Sequence, residues 1–139
     1  MTVYKGACHC GEVTVELETD TDPTDIEVRE CQCSFCRAHG AVSASDPNGR
    51  IRYIEQEPGA INRYQFGTKS CDFLICRKCG VYLGAVMDGD GTPGYSTTQI
   101  KHFEDRTLFT KTTRHPDYDG EPLESRLARR KKNWTPIVG

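Results

Sequence analysis

Three cysteines fall within six residues at Cys31-Gln32-Cys33-Ser34-Phe35-Cys36. Two further pairs flank them, Cys8-His9-Cys10-Gly11 upstream and Cys76-Arg77-Lys78-Cys79-Gly80 downstream. A thiolate is both a nucleophile and a soft metal ligand. Residues i and i+2 of a strand point to one face, so both sulfurs of a CxC pair reach one ion, and a CxxC turn does the same by curling. The run Cys31 to Cys36 combines both devices and supplies three ligands without a distant partner. Zinc normally takes four ligands: a structural site closes with four from the protein, and a catalytic one offers three and leaves a position for water or substrate. The count therefore implies two zinc ions per chain, one closed on Cys8, Cys10, Cys76 and Cys79, and one open on Cys31, Cys33 and Cys36.

Of the eight cysteines only Cys71 lies outside these groups. If Cys71, His39 or His9 supplied a fourth ligand to the triad, that site would be structural as well. The other use for many cysteines is a disulfide scaffold in an oxidising compartment. Met1 to Gly6 does not read as a signal peptide, so the expectation is a cytoplasmic, reducing setting in which clustered pairs bind metal. No segment approaches the roughly 18 apolar residues of a membrane helix. The formal net charge of −2 gives no general pull toward nucleic acid, and seven metal-bound thiolates with two divalent ions would take it to about −5.

A chain of 139 residues is one domain's length, and its patterning is mostly β. Residues 12–17 and 26–30 alternate in the strand period, the second run delivering Cys31 at its end. Residues 50–54 and 61–66 are strand-like on either side of a Glu-Pro-Gly turn. Phe73-Leu74-Ile75 leads into Cys76 and residues 81–87 lead away from Gly80, a hairpin whose turn carries two sulfurs. Residues 88–94 read as a loop, and 96–103 and 107–111 as further β stretches. Residues 122–132 read as a short C-terminal helix, with Leu123 and Leu127 as its docking stripe.

The motifs Gly6-x-Cys8-His9-Cys10-Gly11, Cys31-x-Cys33-Ser34-x-Cys36-Arg37 and Cys76-x-x-Cys79-Gly80 resemble the successive motifs of the glutathione-dependent formaldehyde-activating enzyme family, also named for the centromere protein V domain. The resemblance covers about residues 4–110, with 111–139 as a C-terminal extension. It implies a mostly β, Mss4-like tent pinned by zinc. It implies a structural zinc on Cys8, Cys10, Cys76 and Cys79 and a catalytic zinc on Cys31, Cys33 and Cys36, the same partition as the ligand count. It further implies a carbon–sulfur lyase or synthase that makes or cleaves a thiol–aldehyde adduct such as S-(hydroxymethyl)glutathione, with glutathione and formaldehyde as small-molecule partners.

In such a reaction an open zinc would hold the thiol as its thiolate. His39 is the candidate to shuttle the hydroxyl proton, set against the alternative of a plain surface histidine. Arg37, Arg50, Arg52 and Lys69 are candidates to grip a substrate carboxylate. The alternative reading is a zinc-stabilised binding module, for protein or for nucleic acid through the basic run Arg126, Arg129, Arg130, Lys131 and Lys132 beside Trp134. Cations near a helix C-terminus and an acidic whole weigh against nucleic acid. A third reading, a thiol-redox protein, takes the triad as oxidisable cysteines.

Overall fold

In the computed structural model of the chain, residues 1–88, 94–118 and 120–138 are described, with only the backbone of 112–114. Strands β1 (Thr2–Ala7), β2 (Val13–Thr19) and β5 (Arg50–Glu55) form one antiparallel sheet in the order β1-β2-β5. The valine-rich alternation of β2 explains its place in the middle. Val13, Val15, Leu17 and Thr19 are buried on one face, while Thr14, Glu16 and Glu18 sit half-exposed on the other.

The second sheet uses β3 (Val28–Arg29), β4 (Ser43–Ala44), β6 (Ile61–Tyr64), β7 (Asp72–Cys76), β8 (Tyr82–Met87), β9 (Tyr95–Gln99) and β10 (Thr112–Arg114), in the order β10-β3-β4-β9-β8-β7-β6. A last strand, β11 (Thr135–Pro136), pairs with β9. Between the sheets lies a core of Val13, Val15, Leu17, Ile51, Leu83 and Phe103, and it also takes in Cys8 and Cys76. A second cluster gathers Cys36, Cys71, Phe73, Tyr82, Ala85 and Trp134. Tyr82 and Ala85 are an odd number of residues apart and would face opposite ways in a regular strand. The register shift where Leu74 pairs Gly84 and Ile75 pairs Tyr82 places the extra residue at Leu83 and brings both to one side.

Two helices complete the described chain, α1 (Ser34–His39) and α2 (Leu123–Asn133). The α2 helix lies within a residue of its expected bounds, but Leu123 is 47% exposed and does not dock it. Arg130 and Trp134, both buried, hold it to the body instead, with Arg130 Nη1 donating to Ser70 Oγ at 2.7 Å.

Several expectations need correction. Residues 2–7 pair with β2 as a strand, and residues 34–39 are helical, neither element being among those expected above. The expected strand 26–30 is only Val28–Arg29. The expected strand 96–103 ends at Gln99, because the chain turns to bury Phe103 and to offer the His102 carbonyl to the Ala7 N–H at 3.1 Å. Residues 106–108 form a 3-10 turn rather than β structure, which sets Phe109 against Tyr4 and Phe103. Of the loop expected over 88–94, residues 89–93 lie outside the described residues.

Candidate metal and substrate site

Two turns built alike hold the first cysteine set. After β1, the Cys8 N–H donates to the Val13 carbonyl at 3.0 Å; at the end of β7, the Cys76 N–H donates to the Val81 carbonyl at 3.0 Å. Each turn closes through a glycine directly after its second cysteine, Gly11 at φ 84° and Gly80 at φ 78°, a conformation other residues adopt at a cost. The four Sγ atoms of Cys8, Cys10, Cys76 and Cys79 lie within 4.8 Å of one another. Cys10 Sγ is 3.6 Å from both Cys8 Sγ and Cys76 Sγ. A Zn–S bond of about 2.3 Å gives a tetrahedron with edges of about 3.8 Å. Four thiols at this spacing fit a closed zinc site, and the Val13 N–H, 3.4 Å from Cys8 Sγ, supports negative charge on sulfur. Cys10 remains exposed, so this cluster sits at the surface end of the core.

The second set is positioned by α1. Cys33 is its N-cap, with Sγ accepting from the Cys36 N–H at 3.4 Å, and Gly40 ends it at φ 62°. One turn of helix thus folds Cys36 back over Cys33, while Cys31 arrives from the extended segment after β3. Phe35, on the same turn, packs its ring 4.3 Å from that of Phe73 and 4.9 Å from that of Tyr82. The three Sγ atoms of Cys31, Cys33 and Cys36 lie within 4.8 Å of one another, and among the described residues no fourth histidine, cysteine or carboxylate joins them. Hydrogen bonds from the Cys31 and Cys36 thiols hold the Cys33 thiol far down, while the same crowding pushes Cys31 and Cys36 up. Three thiols this close disfavour ionising together, and a cation among them would relieve that. The donor set therefore fits a three-thiolate zinc with an open position.

That open side faces a cavity of about 310 Å³. The triad and Cys71 line it, with Phe66, Phe73, Tyr82 and Trp134 as apolar and aromatic wall. Cys71 is buried and its thiol is pushed up by burial, yet it stands apart from the ligand cluster. Four arginines line the same space: Arg29, Arg126, Arg129 and Arg130. Arg29 Nη2 donates to Ser45 Oγ at 2.8 Å and Thr97 Oγ1 at 3.2 Å. Arg126 Nη2 donates to the Tyr118 carbonyl at 2.7 Å, and Arg129 pairs with Glu121 at 3.0 Å while lying 3.6 Å from the Tyr118 ring centroid.

Other candidates from the sequence fall elsewhere. His39 is exposed, 4.5 Å from the Phe35 ring, and with His9 it lines a separate surface groove beside Gly80 and Lys101. Arg37, Arg50, Arg52 and Lys69 do not line the cavity, and Arg52 pairs with Glu16 at 3.5 Å on the other sheet. Of the four arginines that do reach it, Arg29 comes from β3, and Arg126, Arg129 and Arg130 come from the basic run expected as a nucleic-acid feature. Their spacing at 126, 129 and 130 is that of one helix face, a signal present in the sequence but read for charge alone.

Residues 3–115 match the family model described as glutathione-dependent formaldehyde-activating enzyme. Among solved structures, the crystal structure of a Rhodobacter sphaeroides protein, a structural-genomics target, is 30% identical with a TM-score of 0.58, covering 81% of this chain and 99% of that one.

Proposed function

This chain belongs to the glutathione-dependent formaldehyde-activating enzyme family, and from that premise we propose that it is a carbon–sulfur lyase or synthase interconverting a thiol and an aldehyde with their S-hydroxyalkyl adduct. The supporting observation is the three-thiol cluster, open on one side into a cavity with a cationic and aromatic wall. Cys31, Cys33 and Cys36 would hold a zinc ion there, and its positive charge would favour the thiolate form of an incoming thiol. The sulfur lone pair then forms the bond to the aldehyde carbon, the carbonyl π pair moves to oxygen, and a proton completes the hydroxyl. Nothing is oxidised or reduced, and cleavage is the same path reversed.

The chain's own residues supply orientation and a proton donor. Burial keeps the Tyr82 phenol well above its ordinary range, so Tyr82 stays a hydroxyl donor on the cavity wall. Phe66, Phe73 and Trp134 exclude water from the forming adduct. The four-cysteine cluster, none of whose residues lines this cavity, would close the fold.

The test is exchange NMR with ¹³C-formaldehyde and glutathione on metal-loaded protein. Wild type should accelerate adduct exchange over the uncatalysed rate, and Cys33→Ser should abolish the acceleration. His39→Ala should slow it by less than about tenfold, below the usual range for a general acid or base. Wild-type protein that leaves the exchange rate unchanged would exclude the reaction.

A further inference from the structure

The matched family region ends at residue 115, yet Arg126, Arg129, Arg130 and Trp134, all beyond it, line the cavity into which the triad opens. Arg130 is the unusual member. Its side chain is only 6% exposed, and Nη1 donates to Ser70 Oγ at 2.7 Å. Its Nε is buried without a hydrogen-bond partner, and no carboxylate among the described residues lies within ion-pair distance. A buried guanidinium with an unsatisfied donor is costly unless an anion joins it. Its planar fork is shaped for a carboxylate. The Trp134 ring lies 5.0 Å beneath and holds its orientation. Arg126 repeats the pattern: two donations to backbone carbonyls, a loose 3.9 Å approach to Glu121, and a buried Nε without a hydrogen-bond partner among the described residues. Glu121 is committed to Arg129, which holds its carboxyl below the usual range.

We propose that α2 is the substrate-selecting element of this chain: Arg130, with Arg126 and Arg29, binds a carboxylate of the thiol substrate, so the cavity takes acidic thiols and discriminates against neutral ones. The carboxylate belongs to the thiol because formaldehyde carries none. This inference rests on the reading of the cavity as a thiol site: the family match implies glutathione as the thiol, and the α2 arginines are the groups that recognise its carboxylate. A tripeptide thiol with two carboxylates, as glutathione is, meets both demands: sulfur toward the triad and anionic ends toward the arginines.

Calorimetric titration of metal-loaded, full-length protein with S-methylglutathione and with its diethyl ester separates carboxylate recognition from thiol chemistry, since both ligands have a capped sulfur. Trp134 is the sole tryptophan, so its emission reports whether the ligand enters this cavity. Wild type should bind the acid about tenfold or more tightly than the ester, the difference expected for a charge-assisted pair. Arg130→Gln should reduce that ratio to about twofold, and Lys131→Gln, an exposed neighbour off the cavity wall, should leave it unchanged. Equal wild-type affinities for acid and ester would overturn the inference, whether or not any variant folds. If that result came with accelerated formaldehyde–glutathione exchange, the lyase reading would stand alone. Discrimination without acceleration would leave an acidic-ligand site and remove the lyase.

Discussion

His102 lies between the two sheets with its Nε2–H donating to the Leu83 carbonyl at 3.1 Å. Its Nδ1 is buried without a hydrogen-bond partner among the described residues. It is also why residue 6 is glycine: a Cβ there would collide with His102 Nδ1 and approach its carbonyl oxygen to 2.8 Å. Burial pushes the imidazole down to about 4 from its ordinary 6.5. The unfolded chain therefore takes up a proton near pH 6.5 that the folded protein refuses until about pH 4. The stabilisation is complete above 6.5 and is lost as the pH falls toward 4, with a ceiling of about 3 kcal/mol. Urea unfolding of wild type and His102→Gln across this window should show the wild type losing stability more steeply. Parallel curves would mean that the histidine is not held neutral.

At the scale of elements, the four-cysteine cluster joins the β1–β2 turn to the β7–β8 turn and so ties one sheet to the other. The only described ion pair spanning the same two turns is Lys78 with Glu12 at 2.8 Å, exposed and worth little. A metal held by the four sulfurs would tie the two turns directly, and its binding free energy would then be folding free energy. Cys79→Ser, or a strong chelator, should therefore lower the unfolding free energy by several kcal/mol and shift the denaturation midpoint down with it. A chelator-treated protein with an unchanged denaturation profile would show that the clip is dispensable. The turns were legible because glycine follows the second cysteine in each pair. The α1 helix was not read, although its end signal, Gly40 after a short run, is present in the sequence. Six residues are too few for periodicity to register, and the cap is a cysteine side chain rather than the usual serine, aspartate or asparagine.

For the molecule as a whole, the mostly β character and both cysteine groupings followed from spacing, because alternation and ligand pairs are local in sequence. What stayed hidden was non-local. The cavity wall combines Arg29 of β3, Phe73 and Tyr82 of adjacent strands and Arg130 of α2, and no window of sequence holds them together. The basic run was read by its sum of charge, whereas packing divides it. Arg126, Arg129 and Arg130 line the cavity while Lys131 and Lys132 stay in solvent. No described helix is long and apolar enough to cross a membrane.

The central claim is that the chain carries two separable metal centres, one that closes the fold and one that opens on the cavity. Zinc per chain, measured by elemental analysis on reduced wild type and on a Cys31→Ser, Cys33→Ser, Cys36→Ser triple variant, tests it most directly. About two equivalents in the wild type and one in a variant that still melts cooperatively is the expected result, given four-coordinate sites. One equivalent in both proteins would contradict it, leaving the triad without zinc and the proposed reaction without its thiolate.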